Sequence, residues 1–242
     1  MMIAIFNNNL TLYNSAVSVA TILYVKLAIV MSAYLVKKGW MSILQSRKVI
    51  HMFASATCFF WPLYDTRSWS WMLNIVTPLI FSVNFFVKGL ITADPKDPDV
   101  KTMSRTGRPI ELCVGPLLFG LIYGYIGLFH FKQELSIYVI ATMGFGDGLA
   151  PLLGTAFPWG RYKSLGRGEY KTMAGSFGMF LGTIVSAPFL YWMFGMAHPW
   201  HLQSERLLGV ALVATLAEAM SGMWDNLAVV TAVTMFLHVT SI

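Results

Sequence analysis

LSIYVIATMGFGDGLAPLLGTAF, the stretch from residue 135 to residue 157, has the length and composition of a membrane-spanning helix. Roughly 20 mostly apolar residues are needed to cross the hydrocarbon layer of a bilayer. The stretch carries one charged residue, Asp147, among four glycines and a proline, Pro151. It lacks the alternation of apolar and polar residues that marks the strands of a membrane barrel. We therefore expect a transmembrane helix with an unusual interior.

The rest of the chain has the same character. Of its 242 residues 56% are hydrophobic and 12% charged, and the mean hydropathy is +0.62. This exceeds what the core of a soluble protein hides. The net charge of +6 lies in short loops between apolar stretches, which argues against a nucleic-acid surface. We predict an all-α polytopic transmembrane bundle forming a single integral membrane domain, residues 1–242.

Hydropathy predicts seven to eight spans, the lower number applying if the last two form one bent element. The N-terminus, with its run of three asparagines at 7–9, lacks the basic start of a signal peptide, so no cleavable segment is expected. The predicted spans are about 15–37, 49–64, 69–91, 112–131, 135–157, 173–196, 206–223 and 226–242.

Basic residues gather on one side when the chain is threaded through these spans. Only Arg67, Lys132 and Arg206 fall on the other side. By the positive-inside rule the basic side is cytoplasmic, or the equivalent stromal or matrix side of an organelle. The basic side holds Lys37, Lys38, Arg47, Lys48, Lys96, Lys101, Arg105, Arg108, Arg161, Lys163, Arg167 and Lys171.

Asp147 is the first candidate for function. Pro151 clashes with the carbonyl four residues earlier, which is that of Asp147, so the helix should be broken or kinked at the acid. Irregular backbone at membrane depth is tolerated where it lines a cavity, and an intramembrane acid is costly unless paired or functional. The structural alternative is that Asp147 caps a half-helix or pairs with a lysine, with the glycines serving close helix packing.

The glycine-rich basic loop from residue 160 to residue 176 leads into the next span and predicts a phosphate site. Backbone N–H groups, a helix N-terminus and Lys171 with nearby hydroxyls suit a polyanion. The alternative is a positive-inside anchor, and the proximity of Asp147 favours the phosphate site.

Further along, Glu218, Gly222 and Asp225 fall at i, i+4 and i+7, which places two carboxylates on one helix face beside Asn226. Such a pair suits Mg²⁺ or a substrate hydroxyl, and equally a buried arginine. Upstream, Arg47, Lys48 and His51 fit one face of a helix, and Arg105, Arg108 and Glu111 lead into the fourth span. Each set alone is typical of interfacial residues.

Taken together, these pieces resemble the phytol kinase family and its polyprenol and farnesol kinase relatives. The resemblance covers the chain from Ser46 to Phe236. It rests on RKVIH at 47–51, SRTG at 104–107 with EL at 111–112 and GPL at 115–117, GDGLA at 146–150 with Gly154, KT at 171–172 with AGS at 174–176, and Glu218 with DN at 225–226.

The resemblance implies transfer of phosphate from CTP to a long isoprenoid alcohol, with Mg²⁺, in a superfamily shared with phosphatidate cytidylyltransferases. Under it, Asp147 and Lys171 are catalytic, and Asp147 and Asp225, with Asn226 beside them, hold the metal. Supporting roles go to His51, Glu111, Glu218 and Asn226. The nucleotide or phosphate set is Arg47, Lys48, Gly146, Gly148, Gly154, Lys163, Thr172, Gly175 and Ser176.

Two other functions stay open at this point. A cytidylyltransferase would use the same nucleotide and metal but release pyrophosphate and form a CDP-lipid. A small transporter would also build its site from a broken helix around an intramembrane charge, although no second broken span indicates an inverted repeat.

Overall fold

The computed structural model describes residues 9–104, 106–165, 170–196, 200–222 and 224–240, without the side chains of 200–203. It is helical apart from one short hairpin, so the predicted all-α class is confirmed for this part of the chain. The N-terminal half contains α1 (Leu10–Lys37), α2 (Ile43–Ser55), 3₁₀ segments at Ala56–Leu63 and Trp69–Ile75, α3 (Val76–Phe86), a π-helical turn at Val87–Ile91, α4 (Pro98–Met103), a π-helical turn at Cys113–Leu117 and α5 (Leu118–Phe129).

The C-terminal half supplies the broken helix. Its elements are α6 (Glu134–Val139), a π-helical segment at Ile140–Gly146, α7 (Asp147–Ala156), the strands β1 (Arg161–Lys163) and β2 (Tyr170–Thr172), α8 (Met173–Met193), α9 (Trp200–Met220) and α10 (Asp225–Thr240).

Among the residues that the structure describes, four helical runs are long and apolar enough to cross a membrane. They are Leu10–Lys37, Trp69–Ile91, Glu134–Ala156 and Met173–Met193, and they match the predicted spans 15–37, 69–91, 135–157 and 173–196. The run at Glu134–Ala156 is central, with 67% of its most apolar window buried against 17% for α1. Most of α1 is therefore left facing outward.

The predicted span 206–223 falls largely in α9, which ends at Met220. The three remaining predicted spans are interrupted or short. The predicted span 49–64 divides into α2 and a 3₁₀ segment containing Pro62, and the span 112–131 begins with a π-helical turn around Pro116. The apolar helix Asp225–Thr240 is also short. The count of seven to eight crossings is therefore not established, because proline and π-helical turns shorten the regular helix in these stretches.

The predicted break in the central span takes the form of a change of helix type. The backbone is π-helical up to Gly146 and becomes α-helical at Asp147, with Pro151 inside the following α-helix. Such π-helical turns occur frequently at functional sites.

Two loops hold more structure than expected. In the basic stretch 160–176, β1 and β2 pair antiparallel with Tyr162 opposite Lys171. The polar stretch 92–108, which the sequence alone would suggest is a loop because it is hydrophilic and contains two prolines within 94–99, holds α4, which Asp97 caps at its N-terminus.

Glycines let α7 and α8 approach closely. A Cβ added at Gly182 would lie 2.9 Å from the Cα of Gly146, and one at Gly154 would lie 2.7 Å from the Thr172 hydroxyl oxygen. Side chains at these positions would force the helices apart. The packing fixes Asp147 relative to the start of α8, which is the arrangement that the site needs.

Candidate active site

A polar cleft of about 440 Å³ collects most of the predicted site residues. Six elements contribute to it: α2, α7, β2, the start of α8, the end of α9 and the start of α10. Its wall consists of Ser42, Leu44, Gln45, Arg47, Lys48, Asp147, Ala150, Pro151, Leu152, Gly154, Thr155, Tyr170, Lys171, Thr172, Gly175, Ser176, Glu218, Gly222 and Asp225.

Asp147 is buried and paired. The Lys48 ammonium donates to its carboxylate, with Nζ 2.7 Å from Oδ2, and to its backbone carbonyl at 3.3 Å. His51 Nε2 lies 3.5 Å from the same carboxylate oxygen and donates to the Met143 carbonyl at 2.6 Å. Because a carbonyl oxygen only accepts hydrogen bonds, Nε2 carries the proton.

This arrangement combines the two interpretations of Asp147. The acid pairs with a lysine, as the structural alternative held, but the pair lies in the wall of an open cleft. The Met143 carbonyl that the imidazole contacts belongs to the π-helical segment. Arg47, Lys48 and His51 all lie on α2, and all three line cavities at the site.

Lys171 forms the second buried ion pair. Its ammonium lies 2.6 Å from Glu218 Oε1 and also donates to the Glu218 carbonyl oxygen. Just beyond it, the Thr172 hydroxyl caps α8 by accepting from the Gly175 N–H at 3.0 Å. The positive end of α8 therefore opens into the cleft beside Lys171.

Ser176 and Tyr162 connect the start of α8 to β1 at this end of the cleft. Their hydroxyls share a hydrogen bond of 2.6 Å. Burial raises the pKa of the Tyr162 hydroxyl, although the bond with Ser176 lowers it. The phenol is thus protonated at neutral pH and holds β1 against α8.

The expectation that Glu218, Gly222 and Asp225 share one helix face is wrong. Helix α9 ends at Met220 and α10 begins at Asp225, so the three residues do not belong to one regular helix. Ser221-Gly222 was the available signal, because glycine is common just beyond the end of a helix. All three nevertheless line the polar cleft, because α9 and α10 meet there.

Six predicted site residues lie outside the polar cleft's wall, and three of them, His51, Glu111 and Asn226, line a second cavity beside it. Lys163 is exposed on β1. Gly146 packs against Met179 and Gly148 against Met52, as close helix packing requires. Glu111 is buried and accepts from the backbone N–H and the hydroxyl of Thr106 at 3.0 and 2.6 Å. Arg105 and residues 166–169 lie outside the described residues.

Sequence reasoning missed Ser42 and Gln45, which line the cleft. They form a capping box at the start of α2, with the Ser42 hydroxyl accepting from the Gln45 N–H. The serine three residues ahead of a glutamine was the signal that could have found them.

An apolar cavity of about 130 Å³ adjoins the cleft. Four residues, Arg47, Lys48, Asp147 and Asp225, belong to both walls. The other wall residues are Val25, Ile29, Ile50, His51, Ala54, Thr57, Thr77, Pro78, Phe81, Phe85, Met103, Glu111, Gly115, Pro116, Phe119, Gly120, Tyr123 and Asn226. A charged compartment and an apolar one thus meet at Asp147.

Curated plant proteins are similar to this chain. It is 29% identical over 183 residues to a probable phytol kinase 1 of Glycine max and 30% identical over 182 residues to one of Oryza sativa subsp. japonica. It is 27% identical over 179 residues to a farnesol kinase of Arabidopsis thaliana. Each similarity covers 72% of this chain. The resemblance to the phytol kinase family is confirmed.

The chain spans somewhat under three fifths of the length of these phytol and farnesol kinases, at 59%, 56% and 57%. All three relatives carry the word chloroplastic in their names. No family model matches the chain. No solved structure matches it.

Proposed function

We propose that this protein is a kinase that transfers phosphate to the hydroxyl of a long-chain isoprenoid alcohol, phytol or a close analogue. One observation carries the proposal: Arg47, Lys48, Asp147 and Asp225 form part of both the polar cleft and the apolar cavity. A charged phosphate donor and an apolar acceptor can therefore meet at the same carboxylates. The named kinases among the relatives support this choice of reaction.

The polar cleft suits a nucleoside triphosphate, and the family resemblance makes CTP the donor that we propose. Lys171 and the N-terminus of α8 offer positive charge and backbone donors to phosphate oxygens. Arg47 and Lys48 approach from α2 on the opposite wall. Phosphoryl transfer depends mainly on such alignment and charge neutralisation.

Each lysine must exchange partners when the donor binds. Lys48 and Lys171 neutralise Asp147 and Glu218 in this structure. A bound triphosphate would attract both ammonium groups, which leaves Asp147 able to accept the proton of the alcohol as its oxygen attacks phosphorus. His51, which follows Lys48 on α2, lies 3.5 Å from the same carboxylate oxygen.

The residues present fit a magnesium ion. Mg²⁺ commonly takes one or two protein carboxylates together with phosphate oxygens and waters. Asp147 and Asp225 line the same cleft, and no three His, Cys, Asp or Glu side chains form a ready cage in the described ranges. A bound Mg²⁺ would neutralise charge on the phosphates, with Asp147 and Asp225 as its ligands.

We also propose that the chain is a multi-pass protein with seven to eight crossings and that the polar cleft opens on the side of the basic loops. CTP would then arrive from the cytoplasm or stroma, while the alcohol enters from the bilayer. Four helices of sufficient length and apolarity support membrane insertion.

The decisive experiment incubates purified protein in detergent with γ-labelled CTP, Mg²⁺ and phytol, farnesol or geranylgeraniol. We expect labelled prenyl monophosphate and CDP. Asp147→Asn and Lys171→Ala should each lower kcat at least 100-fold, because they remove the proton acceptor and a phosphate ligand.

Matched controls are Asp94→Asn and Lys101→Ala, since both side chains are exposed away from the cleft. They should retain wild-type rates. Full activity of a folded Asp147→Asn protein would contradict the assignment. If CDP-lipid and pyrophosphate form once phosphatidate or a prenyl phosphate is offered, the protein is a cytidylyltransferase, and solute flux without nucleotide turnover would show a transporter.

A further inference from the structure

The apolar cavity has a size that limits what it can hold. Its volume is about 130 Å³, and an engineered protein cavity of about 150 Å³ holds one benzene molecule. A five-carbon isoprene unit is slightly smaller than benzene, whereas a C20 tail is several times larger. The cavity is therefore matched to the isoprene unit next to the hydroxyl, and the remaining tail must lie beyond it among the lipids.

One wall of this cavity is aromatic. Phe81 and Phe85 lie one helical turn apart on α3, with ring centroids 6.4 Å apart. Phe119 faces them from α5, and its ring lies 4.4 Å from that of His51, the neighbour of Asp147. Flat rings next to the reacting end of the cavity suit the short branched unit that precedes the hydroxyl of a prenyl alcohol.

Asn226 supplies a polar group where the cavity meets the cleft. It directly follows Asp225, which belongs to both walls, and only 7% of its surface is exposed. Its side-chain oxygen Oδ1 finds no hydrogen-bond partner among the described residues. A buried acceptor without a donor is unfavourable, and a substrate hydroxyl in the cavity would satisfy it once the amide turns its covered oxygen toward the cavity.

We propose that the apolar cavity binds the first isoprene unit of the alcohol and that the Asn226 amide oxygen accepts a hydrogen bond from its hydroxyl. This inference rests on the proposed kinase function and specifies its acceptor site. The hydroxyl is then held between Asn226 and Asp147, with its oxygen directed toward the polar cleft. Recognition is local, so alcohols that differ only beyond the first unit share one binding mode.

The experiment compares Asn226→Leu, Phe85→Ala and the control Phe86→Ala. Phe86 is the neighbour of Phe85 on α3, but it is exposed and does not line the cavity. We expect Asn226→Leu and Phe85→Ala to raise the KM for the alcohol at least tenfold and to leave the KM for CTP within twofold. Phe86→Ala should match wild type.

Two further readouts separate binding from folding. Asn226→Leu should unfold at or above the wild-type temperature, because it removes an unpaired buried amide. Without nucleotide, phytol and farnesol should raise the melting temperature of the wild type, and this rise should be lost in Asn226→Leu and Phe85→Ala. Farnesol and geranylgeraniol should suffer the same fold-change in each variant.

The outcomes distinguish this inference from the function on which it rests. A wild-type protein that phosphorylates no alcohol contradicts the proposed function. A wild-type protein that phosphorylates alcohols, while both variants keep its alcohol KM, overturns the acceptor site alone. If Asn226→Leu instead changes the Mg²⁺ dependence or the KM for CTP, the amide serves the donor side and the inference is wrong.

Discussion

The Lys48–Asp147 contact joins two residues that lie far apart in sequence, and it is almost enclosed. The Lys48 side chain is 14% exposed and that of Asp147 4%. Two charges that are buried away from water stabilise each other, and removing one of them leaves the other unpaired in a medium of low dielectric constant. The pair therefore contributes to folding as well as to the proposed chemistry.

Lys48→Met should lower the free energy of unfolding by about 3 kcal/mol, the cost of leaving a buried charge uncompensated. The double variant Lys48→Met with Asp147→Asn removes both charges and should regain most of that stability while remaining inactive. Thermal unfolding in detergent measures the first effect, and transfer of label from CTP measures the second. Lys101→Met, at an exposed position, is the control. Equal melting temperatures for Lys48→Met and wild type would contradict a structural contribution of the pair.

At the scale of single residues, the sequence indicated the acid but not its partner. Asp147 is conspicuous because it lies in an apolar stretch with glycines and a proline. Its contact with Lys48 spans 99 positions of chain, and no local pattern encodes a distance of that kind. The same holds for Lys171 and Glu218, which were both candidates but whose pairing depends on how α9 packs.

Helix pairs determine where these residues meet. Helices α7 and α8 touch through glycine, so their axes lie closer than side chains would permit. Gly146 immediately precedes Asp147, which couples the spacing of the two helices to the position of the carboxylate.

Gly182→Ala should cost about 1–3 kcal/mol of stability through overpacking, because its Cβ would lie 3.0 Å from the Phe145 carbonyl oxygen. It should also lower kcat by displacing α7. In Gly124→Ala the new Cβ would have its nearest contact, Leu79, at 3.9 Å, so this control should behave as wild type. Melting temperature and initial rate are measured together. An unchanged melting temperature for Gly182→Ala would argue against tight packing at this crossing.

The type of each helical turn and the residue at which a helix ends were harder to predict than the presence of the helix. The spans at 69–91, 135–157 and 173–196 were correct because long apolar runs leave few alternatives in a bilayer. The end of α9 was missed because Glu218 and Asp225 happen to match the spacing of one helical face. Hydropathy does not distinguish π-helical, 3₁₀ and α-helical turns, so the segment before Asp147 could be predicted to be irregular but not π-helical.

At the scale of the whole molecule, basic residues stand before and after two of the long helical runs. The run at Trp69–Ile91 lies between Arg67 and Lys96, and the run at Glu134–Ala156 lies between Lys132 and Arg161. In each run, the residue before the helix is one that we predict on the sparsely charged side, and the residue after it is one that we predict on the basic side. Lys171, in the wall of the polar cleft, is one of the residues assigned to the basic side.

Single cysteines should report this arrangement in sealed vesicles. In a background with Cys58→Ala and Cys113→Ala, Lys101→Cys and Arg161→Cys should react with an impermeant maleimide from the same side. Thr66→Cys should react only from the other. All three positions are exposed. Labelling of Thr66→Cys and Arg161→Cys from one side would contradict the predicted orientation.

The contact between the polar cleft and the apolar cavity also affects how much nucleotide is hydrolysed without forming a lipid product. A kinase whose acceptor site holds water can hydrolyse its nucleotide unproductively, since water is itself an alcohol-like nucleophile. The phenylalanine and aliphatic side chains in the cavity wall offer water few partners, whereas Arg47, Lys48, Asp147 and Asp225 at its border with the cleft offer several. A prenyl alcohol that fills the cavity would displace water from beside Asp147, so the proposed kinase should couple cleavage of its nucleotide to a lipid product most tightly when the alcohol is bound.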